Sequence, residues 1–197
     1  DLVWIKARNQ TDGHNLFDIV RGVTNVIKSN STATELTESN SLTAFDSSGF
    51  TVGDNASNAQ VNQSGFDYVA WSWDGGTSTV SNTDGSITSD VRANTSAGFS
   101  IVGYTGTGTA ATIGHGLSAA PEFIIVKNRD TARPWSVFHQ AITNMNSGYI
   151  NLNSTSAFTG SYTGVWDGTD PTSSVFSVGT DNESNNSGDD FIAYCWT

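Results

Sequence analysis

Basic residues are scarce in this chain. Lys and Arg together number eight against nineteen Asp and Glu, for a formal net charge of −11. That field repels a phosphate backbone, so nucleic acid is not an expected partner, and it also weakens attraction to an anionic membrane surface. Cations, neutral glycans or a basic protein surface remain compatible with it. Cysteine is nearly absent: Cys195 stands alone, which excludes an internal disulfide. It lies inside an apolar run, away from any candidate base, and reads as a small buried hydrophobe rather than a reactive thiol. No apolar run approaches the ~18 residues of a membrane-spanning helix, so membrane insertion is not expected. The opening residues carry no leader-peptide pattern, so export by a cleaved leader is not expected either.

Charged residues of both signs make up only 14% of the chain, below the roughly 25% of an ordinary soluble domain. Solubility therefore falls to Ser, Thr, Asn and Gly, a composition common in extracellular β-rich fibres and adhesins. Ten Phe, six Trp and five Tyr supply apolar area for a packed core. A length of 197 residues allows one large β domain or two small ones.

The chain repeats itself. Leu2–Arg8 matches Phe123–Arg129, and Leu16-Phe17-Asp18 matches Val137-Phe138-His139, both at an offset of 121. Asn30-Ser31-Thr32 matches Asn153-Ser154-Thr155, Ser47–Gly53 matches Ser173–Gly179, and Tyr68–Trp73 matches Phe191–Trp196. Five blocks in one order, with offsets between 121 and 126, point to two copies of one unit. The boundaries expected are a first copy at 1–76, a connector or edge strand at 77–97, and a second copy at 98–197. The second copy carries an extra leading segment, 98–121, without a counterpart in the first. The expectation is that Asp1 is not the natural start and that a similar segment precedes it, or that the first copy borrows a strand from a neighbour.

Short runs rich in Val, Ile, Phe, Tyr and Trp predict strands at 2–8, 14–20, 99–105, 122–128, 147–153 and 190–196. Asp12-Gly13, Asp74-Gly75-Gly76, Asp84-Gly85 and Asp167-Gly168 separate them as turns. No 3.6-residue periodicity is sustained, and at most a single helical turn is expected, within 17–26 or 136–144. Evenly spaced strands without helical crossovers predict an all-β antiparallel sandwich.

Candidate ligand contacts are Trp4 and Trp135, which align with Ile125 and His14 and so are not shared between copies, together with Trp166. Trp71 and Trp73 alternate with small residues in a strand apolar on both faces, which reads as core more than as a sugar-stacking ladder. Lys6/Arg8 and Lys127/Arg129 occupy matched positions and suggest ion pairs, one of them with Asp18. Asp181, Glu183, Asn185 and Asp189 alternate in an acidic loop as calcium ligands do, without the glycine and distal glutamate of an EF-hand. Calcium is the one cofactor such a loop would suit, and a solvated turn is the plainer reading. Its partner loop, Asp54-Asn55 through Asn62 to Asp67, has fewer carboxylates. His14, His115 and His139 lack metal spacing, and no nucleophile–base pairing is visible. A glycosidase pair is not marked out among the carboxylates.

Gly98–Val102, Tyr104-Thr105-Gly106, Gly114–Leu117, Pro121, Ile125–Arg129, Trp135 and Phe191–Trp196 together resemble an uncharacterised repeat of phage tail-fibre and virion structural proteins, notably of phages of marine bacteria and cyanobacteria. Phe17-Asp18, Arg21-Gly22, Phe45, Gly49-Phe50 and Tyr68–Trp71 are similar to that family's other half. Ser72 stands where Cys195 would predict a cysteine. The resemblance implies a concanavalin-like or jelly-roll sandwich with no established catalytic residues. It also implies a virion-surface location, other virion proteins as partners, and a homo-oligomer. The expected role is non-catalytic attachment to a bacterial surface glycan or envelope protein. Capsid decoration, a secreted lectin or adhesin, and a polysaccharide hydrolase are the alternatives.

Overall fold

The computed structural model describes residues 1–53 and 59–197; Asp54 and Asn55 of the loop paired above with the acidic turn lie outside them. The first half contributes β1 (Leu2–Ala7), β2 (Asn15–Asp18), β3 (Asn25–Lys28), β4 (Leu36–Thr37), β5 (Leu42–Asp46), β6 (Gly49–Val52) and β7 (Tyr68–Trp73). Then come β8 (Thr79–Asn82), β9 (Ser89–Asn94), β10 (Phe99–Thr105) and β11 (Ala111–Gly114). The second half continues with β12 (Phe123–Asn128), β13 (Ser136–His139), β14 (Gly148–Asn151), β15 (Thr159–Gly160), β16 (Val175–Val178) and β17 (Asp190–Trp196).

One sheet has the order β4-β3-β2-β1-β7, and a larger one has the order β15-β14-β13-β12-β17-β10-β9-β8. Strand order and register correspond between them. Leu2 faces Asp18 on one side and Trp73 on the other, as Phe123 faces His139 and Trp196. Further out, Asn15 faces Lys28 as Ser136 faces Asn151, and Asn25 faces Thr37 as Gly148 faces Gly160. Every pairing named is antiparallel.

The fold is a sandwich of four layers, which explains why its central strands are apolar on both faces. Between the two sheets, Leu2, Leu16 and Ile27 pack against Phe99, Ile101, Ile125, Trp135, Val137, Ile192 and Tyr194. The outer face of the smaller sheet, with Val3, Ile5, Phe17 and Val26, is covered by Leu42 of the β5–β6 hairpin and by Ala59 and Val61. The outer face of the larger sheet buries Ile124, Val126, Phe191, Ala193 and Cys195 under Ile113, Phe176 and Val178 of the β11–β16 pair, and under Trp166. Burial pushes the Cys195 thiol up to about 12, as suits an inert core position.

One sequence expectation needs correction. Neither 17–26 nor 136–144 is helical; among the described residues the one α-helix, α1 (Asn182–Asn185), lies in the acidic loop, and a 3-10 turn lies at Met145–Ser147, just after 136–144. Asp181 caps α1 by accepting from the Glu183 backbone N–H at 2.8 Å, so a polar tetrapeptide is helical because of its cap and not its periodicity. Of the two readings of 77–97, connector or edge strand, the stretch supplies the edge strand β8, and β9 besides, inside the larger sheet.

Candidate functional site

Where the two halves meet, Trp4, His14, Ser29 and Asn30 from the smaller sheet face Leu152, Asn153, Ser154 and Thr155 across a groove of about 390 Å³. Trp4 is half-buried, and its indole N–H donates to His14 Nδ1 at 3.1 Å. That bond fixes the imidazole as the neutral tautomer with its proton on Nε2. Burial, followed by the nearby Lys6 ammonium, holds the His14 pKa below its ordinary 6.5. Trp71 lies directly across from Trp4 in the β1–β7 register; the two rings meet edge-to-face with centroids 6.2 Å apart. His14 continues the row on the other side of Trp4 at 5.9 Å. Trp71 is 46% exposed and Leu152 38%, so this seam carries an accessible aromatic and aliphatic surface.

Asn30 and Asn153, matched in sequence, do matched work. Asn30 Oδ1 accepts from the His14 backbone N–H at 2.8 Å, and Asn153 Oδ1 accepts from that of Trp135 at 2.9 Å. With both amide oxygens committed, their NH₂ groups are left as donors on the groove wall. Rings that stack, neighbouring amide and hydroxyl groups, and no charge among the lining side chains together suit a neutral, polyhydroxylated ligand.

The structure separates the three tryptophans singled out in sequence. Trp4 is at the groove. Trp135 and Trp166 are buried, at 0% and 1% exposure, and present no face to a ligand. Trp135 fills the space between the sheets, and its indole N–H donates to the Lys28 carbonyl at 3.0 Å. Trp166 packs edge-to-face on Phe138, 5.8 Å between centroids. An aromatic residue unmatched in the other half thus need not be exposed: Trp135 is buried between the two sheets. Trp71, expected in the core, is the exposed one.

The acidic loop does not assemble a calcium site. Asp181 Oδ1 caps α1 and its Oδ2 accepts from the Tyr162 hydroxyl. Glu183 Oε2 accepts from Ser136 Oγ at 3.2 Å and from Asn151 Nδ2 at 3.1 Å. Asn185 is fully buried and donates to the carbonyls of Thr109 and Gly179. Asp189 Oδ2 accepts from Asn128 and Asn186. The four side chains are held by separate partners, and no cluster of three or more potential ligands from His, Cys, Asp and Glu occurs among the described residues. Asp181 and Glu183 do line a second cavity, of about 450 Å³, with Tyr149 and Tyr162 in edge-to-face contact at 5.6 Å. Burial raises the Glu183 carboxyl pKa, and the bond to Asp181 pushes the Tyr162 phenol up to about 12.

Asp18 pairs with neither Lys6 nor Arg8. Its carboxylate accepts from the buried Arg21 and, at 2.7 Å, from the Tyr194 hydroxyl of the other sheet. Arg21 also reaches Glu35 at 2.8 Å, and Glu35 receives a two-pronged contact from Arg129 at 2.8 and 3.1 Å. This is an internal clamp between the halves, found by fold and not by the local pairing that sequence suggested. Lys127 is buried and donates to the carbonyls of Asn128 and Thr32.

The model of one protein family, DUF7483, described as a domain of unknown function, matches residues 1–197. No curated protein and no solved structure matches the chain.

Proposed function

The chain belongs to the DUF7483 family, a domain of unknown function, and from its surface we propose that it is a non-catalytic attachment module of a phage virion. Its ligand is a neutral glycan of the bacterial surface, held in the groove beside Trp4. The observation that carries this reading is the groove lined by Trp4 and His14 among Asn30 and Asn153, with the exposed Trp71 extending the aromatic row beyond Trp4. A net charge of −11 disfavours anionic polymers, which leaves uncharged sugars as the chemistry these rings best fit. The virion location rests on the sequence resemblance. The matched strand order and register support reading the halves as copies of one unit. Repetition of this module in a homo-oligomer would let individually weak sites act together.

Binding to an array of bacterial surface glycans, with isothermal titration of those retained, tests the reading. Trp4→Ala is expected to weaken the retained glycan at least about tenfold, on the scale of the ~1–3 kcal/mol that stacking on one aromatic ring supplies to a nucleobase. Equal binding by wild type and Trp4→Ala, or no glycan retained, refutes the groove. The second cavity favours another reading, polysaccharide hydrolysis by Asp181 and Glu183, which line it together. Both oxygens of Asp181 are held within the protein, which sets that reading second. Release of reducing ends from the retained polymer, abolished by Glu183→Gln, would put it first.

A further inference from the structure

The second cavity, of about 450 Å³, lies between the chain around β15 and the first turn of α1. Tyr149 of β14 and Tyr162 stand in it at 72° to each other, centroids 5.6 Å apart, so their rings form a corner. Tyr162 is 40% exposed, yet three further contacts fix it. Its backbone N–H donates to the Ser147 carbonyl at 3.0 Å, and its hydroxyl donates to Asp181 Oδ2. Its ring also lies over Gly164, where a Cβ would come within 2.5 Å of the phenol carbon, so only glycine leaves room for it. All the lining residues fall within 149–183. Asp1 is tied to Arg92 of β9, five strand positions from β14 in the larger sheet, or about 24 Å at ~4.8 Å per strand.

The charges lining this corner are of one sign. Glu183 Oε2 takes the bonds from Ser136 and Asn151, which leaves Oε1 without a hydrogen-bond partner. Arg133 stabilises the Glu183 charge only from a distance, for no ion pair joins the two. Burial raises the Glu183 pKa, as befits a carboxylate short of counter-charge. A hard metal ion is a poor match, because it needs about six or more oxygen ligands and draws little from ring faces. An organic cation matches on both counts. Tyrosine faces attract it, and a carboxylate beside them balances its charge.

We propose that this corner binds an alkylammonium group, with the Tyr149 and Tyr162 rings as its walls and the free Oε1 of Glu183 as its counter-charge. The amine of an amino sugar and a choline-type headgroup both carry that group. The net charge of −11 favours the approach of either. The site is independent of the glycan groove, with which the cavity shares no residue. It makes Glu183 a fixed anion, where hydrolysis would require it to exchange a proton.

Isothermal titration of the whole chain with choline and with glucosamine tests it, each beside its uncharged counterpart, 3,3-dimethylbutanol and glucose. At least one amine is expected to bind, about tenfold or more tightly than its counterpart, since the positive charge is what the rings and the carboxylate recognise. Which amine binds tells a sugar amine from a quaternary headgroup. Tyr162→Leu is expected to weaken the bound amine about fivefold or more, although it frees Asp181 Oδ2, a result that attraction to charge alone would not give. Tyr149→Phe, which keeps the ring, is expected to bind as the wild type does. Circular dichroism checks that each variant is folded, and Tyr149→Leu replaces Tyr162→Leu if the latter is not. No binding of either amine, equal binding of the uncharged counterpart, or undiminished binding in the leucine variant overturns the proposal. Amine binding retained in Trp4→Ala while glycan binding is lost would separate the two proposals.

Discussion

Trp135 and Trp71 are both tryptophans on the facing sides of the two sheets, yet they should respond differently to truncation. Trp135 has no solvent exposure and loses both its inter-sheet packing and the bond to Lys28 when removed. Trp135→Ala is expected to lower stability by ~3–5 kcal/mol in urea unfolding, the range for emptying a large core site. Trp71→Ala should stay within about 1 kcal/mol, since half of its surface is already wet. Lys127 carries a different signature. Burial lowers its ammonium pKa from 10.5 to about 8. Between those values the unfolded chain holds a proton that the folded chain has released, so this residue makes stability rise as pH rises through the window. Lys127→Met should remove that rise. The check is the difference between the two proteins' unfolding free energies from pH 7 to 10, which cancels the opposing ionisation of Cys195 in the unfolded chain. His14 acts in the same direction at lower pH. Its Nδ1 must stay unprotonated to accept from Trp4, so glycan affinity should be flat above pH 6.5 and fall below it. Titrations at several pH values would show this.

At the scale of the elements, the alternation within Tyr68–Trp73 and Phe191–Trp196 was legible in sequence. What alternation could not convey is that one strand is central and the other an edge. That depends on β10, which only the second half places beside its last strand, and strand neighbours far apart in sequence leave no local trace. The same limit explains the groove. Trp4 stood out as unmatched, but its contact with Trp71 comes from the β1–β7 register, and His14 joins the row from a loop. The clamp shows long-range placement most sharply: Arg21 lies after β2, Glu35 precedes β4, and Arg129 follows β12. Glu35→Ala would leave Arg21 buried with one of its carboxylate partners gone and Arg129 without its closest one. Removing one member of a buried ionic network costs ~3–5 kcal/mol, so a loss of that order is expected. Glu35→Gln, which keeps the acceptor oxygen, should recover part of it. An equal loss in both variants would assign the effect to the charge and not to packing.

The whole molecule is tied together by the layer between its sheets. Leu2, Leu16 and Ile27 have no other core to enter, and their counterpart surface is made by Phe99, Ile125, Ile192 and Tyr194 of the other half. The repeat suggests two domains, but neither half can be cut away without exposing the inner face of the other to water. At ~25 cal/mol per Å² of apolar surface, such exposure would exceed the few kcal/mol by which a domain is stable. The Asp18–Arg21–Tyr194 contacts cross the same layer, where stranded buried charge would add to the loss. The chain is therefore expected to unfold in one cooperative transition, with calorimetric and van't Hoff enthalpies equal, and residues 1–76 alone should not fold. Two separate transitions, or a folded isolated half, would mean that the inner layer is an interface between independent domains and not a shared core.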